Sequence, residues 1–349
     1  MYINSRRFFK EYLPGKGKGY FLGIICLLVT IVTTTSIPLF IKDAINLLSN
    51  ADNNLTESAR QELLRLAVYI LVMGIILCVS RFMSRYFLFL QGRRIEAEVR
   101  QHLFKAVVTM PIDQINQYQS GDLISRGTND VTSVRVMVSM GILHSINSLI
   151  FLSLCLFHMF RISPKLTLLC LIPLPLAILA TRFLSKRMML AGRASQEQLG
   201  VLSETVREQF RAHTLLSVFP VFKLLNTRFD KDNNSYTQKA EELMSIRVFM
   251  MLTVVIILSL GFFILLRFGG PEAIHNEQLG QGGFDLGAFT AFSIFLVIMQ
   301  GPLRATGFLL PLMQRGEICL TRIYEIRDAA AAALKIDNKR PIDSEDKIP

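Results

Sequence analysis

Six stretches of this chain are apolar for long enough to lie in lipid, and that restricts its possible folds more than any other feature. They run about Tyr20–Ile41, Leu63–Ser80, Val136–Phe160, Leu166–Thr181, Val248–Leu266 and Leu286–Leu303. A helix needs roughly 20 apolar residues to cross a hydrocarbon core about 30 Å thick. Lipid offers backbone groups no partner, so a spanning segment must satisfy its own hydrogen bonds, and runs of this kind do so as helices. The fourth and sixth carry Pro173, Pro175 and Pro302, which spans tolerate when neighbours re-satisfy the backbone. The composition agrees: 51% apolar, 19% charged and a mean hydropathy of +0.40. The sequence therefore predicts an all-α integral membrane protein with six spans. Gly19–Ile41 is too long for a cleavable signal peptide, and no small-residue cleavage site follows it. Four of the five cysteines sit inside apolar runs and none is in CxxC spacing, so neither a disulfide framework nor a metal site is expected.

The net charge of +11 is explained by where the bases fall. Lys and Arg crowd before the first span (Arg6, Arg7, Lys10, Lys16, Lys18) and between the second and third (Arg81, Arg85, Arg93, Arg94, Arg100, Lys105, Arg126). They crowd again between the fourth and fifth (Arg182, Lys186, Arg187, Arg193, Arg207, Arg211, Lys223, Arg228). The alternate loops are short or near neutral, which places both termini in the cytoplasm by the positive-inside rule. The charge reads as topology, and nucleic acid drops out as a partner.

The two inner excursions, about residues 85–135 and 182–247, are long and poor in Gly and Pro. In the first, Ile95, Val99, Leu103 and Ala106 recur at helical spacing, with Arg94, Glu98, Gln101 and Lys105 between them. Twenty-five helical residues reach about 37 Å. Spans two to five are thus expected to continue as helices into the cytoplasm, turn and return, as a pair of levers. At the first turn Met110-Pro111 stops the descending helix. Ile112, Asp113, Gln114, Ile115, Asn116, Gln117 and Tyr118 can then form a short crosswise helix. Gly121 supplies the bend, and Ser120 or Asp122 is expected to cap the next helix.

Several segments resemble type IV ATP-binding cassette (ABC) exporters. GDLISRGTNDV (Gly121–Val131), with Asp122, Arg126 and Asp130, is similar to the segment after that family's first coupling helix. LGAFTAF (Leu286–Phe292), Pro302 and ICLTRIYEI (Ile318–Ile326) resemble its sixth helix, and IPLFIKDAIN (Ile37–Asn46) the outer end of its first, with Asn46 where Asp is usual. The resemblance covers about residues 15–330. It implies a transmembrane domain over residues 20–330, preceded by a cytoplasmic segment (1–19) and followed by a linker (331–349). It also implies two coupling helices: Ile112–Tyr118, and a second around Glu208, Arg211, Ala212, His213 and Thr214. At the second turn Glu208 fits, but Ala212, Ser217 and Phe222 stand where the family has Gly, a basic residue and Glu.

The family's nucleotide-binding domain is the larger departure. The sequence contains no G-x-x-x-x-G-K-[ST] loop, and PGKGKGY (Pro14–Tyr20) lacks its spacing and reads as a flexible basic approach to the membrane. The expectation is a chain that binds no cofactor and cannot hydrolyse ATP alone: a piece of a longer polypeptide, or a subunit whose ATPase is separate. ATP and magnesium would sit on the associated domains. The other implied partners are a second transmembrane half, identical or different, and the lipid bilayer, in the cell (inner) membrane.

The function so implied is export of an amphipathic or lipophilic substrate. An ion-coupled secondary transporter is the rival, yet no Asp or Glu lies inside any of the six apolar cores, where such a carrier commonly needs one. A membrane-embedded enzyme would need a catalytic cluster, and His144, His158, His213 and His275 are scattered. On span three, His144, Asn147, Ser148, Phe151, Cys155 and His158 share a narrow sector at 100° per residue. That stripe fits either a polar cavity lining or interhelical hydrogen bonding. On span six, Gln300 and Arg304 are candidates for a substrate head group, and snorkelling serves Arg304 equally well.

Overall fold

The computed structural model describes residues 3–49, 57–211, 222–279 and 283–337. Among these every regular element is a helix. In chain order they are α1 (Ile3–Tyr12), α2 (Gly17–Ser49), α3 (Glu57–Val108), α4 (Ile112–Ile115) and α5 (Ser120–Ile162). Then follow α6 (Pro164–Leu171), α7 (Pro173–Arg211), α8 (Phe222–Ile264), α9 (Gly270–Leu279) and α10 (Leu286–Asp337). Two π-helical turns, Arg126–Asp130 and Met137–Gly141, interrupt α5, and a third, Leu265–Gly269, joins α8 to α9. The helices form two compact units, Met1–Ile162 with Gln281–Pro349, and Ser163–Gly280.

In the first unit α2, α3, α5 and α10 pack antiparallel. Thr30 meets Ser80 at 3.1 Å, and Gly23 lies against Leu88. Gly92 lies against Ser139, and Ser148 donates to the carbonyl of Pro302 at 3.3 Å. α3 and α10 each have 52 residues, about 78 Å of helix, far more than a bilayer core requires. Among the described residues four helices are long and apolar enough to cross a membrane: Gly17–Ser49, Glu57–Val108, Ser120–Ile162 and the Leu286–Leu303 stretch of α10. The face predicted for α3 is the one buried, with Ile95, Val99 and Leu103 in a core shared with Val134, Leu320 and Ile323. Hydroxyls within α2 fold back on its own carbonyls, Thr30 on Cys26 and Thr34 on Thr30, as a helix in lipid requires.

In the second unit α7 and α8 run antiparallel, tied by Thr205 to Asp232 at 2.7 Å. The predicted fourth span, Leu166–Thr181, is divided at Ile172 between α6 and α7, because Pro173 brings no N–H to continue the ladder. Ser163 caps α6 through its side chain.

The structure also corrects the N-terminal reading. Residues 3–12 are helical and α2 begins at Gly17, so the basic segment is ordered, with only Gly15 at positive φ (81°). α10 continues to Asp337, past the expected boundary at residue 330, and the tail from residue 338 lies outside the described residues.

At the end of the unit remote from α4, α2 meets the start of α10. Asn46 donates to Asp285 at 2.8 Å and accepts from the backbone of Gly287 at 3.0 Å, while Asp285 caps α10 through Ala288 N at 2.7 Å. A Cβ on Gly287 would collide with the carbonyl of Lys42 and with Asn46. Gly287→Ala should therefore destabilise the protein by about 1–3 kcal/mol, the usual cost of overpacking. An unchanged thermal midpoint in detergent would show that α2 and α10 have slack there.

Candidate functional site

The turn between α3 and α5 begins at Pro111. Pro111 takes an extended conformation (φ −59°, ψ 147°) and its carbonyl accepts from Gln114 and Ile115 at 3.0 and 3.1 Å. The helix is short, Ile112–Ile115, and its last turn is closed by Tyr118 N to Ile115 O at 2.9 Å. Ile115 and Tyr118 pack onto the core, whereas Asp113, Asn116 and Gln117 face outward and Gln114 is half-buried. Three apolar side chains also face outward at this tip: Phe104, Val108 and Ile112, at 70%, 64% and 75% exposure. Burying such groups is favourable and leaving them in water is not, so this tip has the character of a contact surface.

Capping does not follow expectation. Gln119 occupies the cap position of α5 and no side chain caps it; neither Ser120 nor Asp122 does so. Asp122 instead accepts from Arg126 at 2.8 Å and pairs with Arg322 of α10. Arg322 also reaches Asp130 at 3.0 Å, and Arg126 reaches Glu325 at 3.2 Å, donates to the carbonyl of Arg322 and lies over the Tyr118 ring. The π turn starts at Arg126 and ends at Asp130, which places both inward at 10% and 6% side-chain exposure. Wide turns of this kind often mark working positions in helices. A second cluster supports the first. Glu96, nearly buried on α3, holds Arg93 at 3.0 Å, Arg100 at 2.9 Å and Arg135 of α5 at 3.2 Å. Arg100 further donates to Gly127 O inside the π turn. The sequence singled out Gly121, Asp122, Arg126 and Asp130 by resemblance; Arg322 and Glu325 lay within a resembling segment without a role, since their partners on α5 lie far along the chain, and Glu96 was not singled out.

The other candidates are dispersed. Along α5, Ser148, Phe151 and Cys155 are buried, and the His158 ring stacks on Phe295 of α10 at 5.6 Å. His144 and Asn147 are half-buried, as is Gln300, and Arg304 lies within α10. At the second turn Glu208 pairs with Arg228 at 3.2 Å and Arg211 ends α7 in an exposed position. Ala212, His213, Thr214 and Ser217 lie outside the described residues.

Arg81 and Arg85, which the sequence places between spans two and three, lie within the continuous helix α3. Because Thr30 meets Ser80 and Gly23 meets Leu88, both arginines lie alongside the first predicted span, Tyr20–Ile41. With Leu77, Cys78, Phe82, Tyr86 and Phe89 they line an open groove of about 620 Å³ on α3. Phe82 and Tyr86 stack there at 6.2 Å.

The joint at Arg322 has a pH signature. Burial pushes the Asp122 carboxyl up, but hydrogen bonds and charges from Arg126 and Arg322 prevail and hold it below the ordinary carboxylate value. A carboxyl held low in the fold contributes stability that is present above its unfolded value and lost as pH falls through the depressed one. Arg322→Gln removes the cation between Asp122 and Asp130 and should cost about 3 kcal/mol at neutral pH, the scale for stranding a buried charge. Protonation then relieves the variant, so its thermal deficit should narrow on acidification to about pH 3. A deficit constant with pH would contradict the role given to Arg322.

Comparison with known proteins agrees with this architecture. Residues 20–303 match the ABC transporter transmembrane region family. The "Probable multidrug resistance ABC transporter ATP-binding/permease protein YheI" of Bacillus subtilis is 27% identical over 255 residues, 72% of this chain and 43% of that protein. An ATP-dependent lipid A-core flippase of Idiomarina loihiensis is 26% identical over 79% of this chain and 47% of its own length. The multidrug resistance-like ATP-binding protein MdlA of Escherichia coli is 24% identical over 92% of this chain and 53% of its own length. The chain thus spans about half the length of the curated relatives it matches. With the family match covering most of its residues, the chain belongs to the ABC transporter transmembrane region family.

Proposed function

We propose that this chain is the membrane half of an ATP-driven exporter for an amphipathic substrate, with α4 as the foot through which an ATPase domain moves it. In this reading six spans cross the cell membrane, both termini and both long excursions are cytoplasmic, and two such halves assemble around a central path. ATP and magnesium belong to the ATPase domains, in the same polypeptide or another; no residue of this chain is assigned to them. The observation that carries the reading is the foot itself. It presents exposed Phe104, Val108 and Ile112 and is tied through Asp122, Arg126 and Asp130 to Arg322 and Glu325 of α10. A push on the foot is therefore delivered to the last helix through short ionic contacts, and packed helices transmit such shifts as rigid bodies.

The Arg81–Arg85 groove supports a substrate with an acidic head group and apolar tails. Two guanidiniums one turn apart repel each other, and none of the six apolar cores offers a carboxylate to neutralise them. The aromatic side chains around them suit acyl or ring surfaces. Lipid A-core flippases and multidrug proteins among the relatives agree with amphipathic cargo without identifying it for this chain.

Two outcomes test this function in a transporter complete with its ATPase domains. Ile115→Pro removes the hydrogen bond from Ile115 to Pro111 and breaks the foot, at about 3 kcal/mol locally. Insertion and substrate binding should persist while substrate-stimulated ATP hydrolysis and transport fall to background; normal stimulated transport would reduce the foot to a loop. Replacing both Arg81 and Arg85 by Gln should weaken binding of a phosphorylated amphiphile on the order of tenfold, about 1.4 kcal/mol, and leave a zwitterionic one unaffected. Equal loss for both ligands would remove the acidic head group from the proposal.

A further inference from the structure

The N-terminal helix α1 is neither a flexible leader nor an isolated surface helix. Phe8 and Tyr12 are each 1% exposed, in a core with Leu103, Tyr324 and Ala330. Arg7 grips Asp328 of α10 with both arms, at 2.8 and 2.7 Å. One turn later the polarity reverses, and Arg327 of α10 grips Glu11 with both arms, at 3.1 and 2.5 Å. Arg7 covers the Tyr324 ring at 4.5 Å, and Tyr324 donates to Glu11 at 3.2 Å. The Tyr12 hydroxyl accepts from Arg327 at 2.8 Å and lies 2.9 Å from Nδ1 of His102 on α3. Lys16, just past the helix, pairs with Glu98 of α3. Half-exposed ion pairs of this type add little stability each. Their value here is register: a slip along α10 would part Arg7 from Asp328 and Glu11 from Arg327 at once.

α1 thus touches the two helices on which the foot depends. His102 stands on the last turns of α3 before the chain turns into α4. On α10, Tyr324, Arg327 and Asp328 are taken by α1, while Arg322 and Glu325, within the same two turns, are taken by α5. This stretch of α10 is gripped from two sides by charge.

We infer that α1 is a brace for coupling, in which Arg7, Glu11 and Tyr12 act as positioning residues that keep the lower parts of α3 and α10 moving as one body. The inference rests on the exporter reading for its functional consequence and on the geometry alone for its mechanics. Without the brace, motion entering at α4 would still reach α3, but α10 would follow it only through α5 and the apolar packing of Leu320 and Ile323 against α3.

The mechanics are tested by hydrogen exchange on the intact chain in lipid nanodiscs. Arg7→Asp should raise exchange at residues 322–330 of α10 and at residues 99–106 of α3 together, several-fold, and adding Asp328→Arg should restore both. Exchange unchanged in either helix, or a double variant no better than the single, would overturn the brace. The consequence is tested in the complete transporter by transport per ATP hydrolysed, beside the thermal midpoint. The single reversal should lower that ratio several-fold, with the midpoint within a few degrees of the parent, and the reciprocal pair should restore it. An unchanged ratio, or a loss that follows the midpoint and resists the reciprocal pair, would leave α1 a structural anchor and refute the inference. A parent protein that moves no substrate would instead count against the exporter reading, and the exchange result would still decide the brace.

Discussion

One guanidinium holds the working end of this molecule together. Arg322 stands between Asp122 and Asp130, and all three side chains come from helices that could otherwise slide past one another. Apolar surfaces between long helices are permissive about register, because one turn of Leu and Val packs much like the next. A cation shared by two carboxylates is not permissive. The Arg126–Glu325 pair beside it and the Glu96 cluster one helix away make the same demand at other levels. Shape between α3, α5 and α10 is set by burial, and phase is set by charge.

That division explains what could be read from the chain. Helix periodicity showed which face of α3 is buried, since Ile95, Val99 and Leu103 repeat every turn and burial follows the repeat. Met110-Pro111 announced the turn into α4, because proline acts on its immediate neighbours. Partners separated by most of the chain left no such trace. Asp122 looked like a helix cap from its local setting, and only the approach of Arg322 redirects it. Residues 1–19 read only as a basic cytoplasmic segment, since nothing nearby in sequence says that Asp328 and Arg327 await Arg7 and Glu11. The π turns were equally hidden: nothing in the spacing of RGTND or MVSMG marks a widened turn, and in the first the turn coincides with Arg126 and Asp130 both facing inward. The cavity residues were the least legible, because a polar side chain on a span reads alike whether it lines a path or faces a neighbour. Ser148 and Cys155 are buried in the bundle, while His144 and Asn147 keep partial exposure.

Arg81 and Arg85 show a different limit. Hydropathy treats a charge as the edge of a span, yet α3 continues as helix past that edge and stays paired with α2. A helix can thus carry two arginines on an open aromatic face one turn apart without breaking its packing on a neighbour.

The junction of Asn46 with Asp285 and Gly287 carries a consequence of its own. An amide offers a donor to the carboxylate and an acceptor to the backbone N–H in the same instant, and it does so in one charge state. An aspartate in its place would put two carboxylates face to face, and such a pair holds together only by sharing a proton. With asparagine, this corner of the bundle has no proton to gain or lose of that kind. The joint between the first and last long helices is thereby closed by one amide that serves a side chain and a backbone group together, with no shared proton needed to hold it.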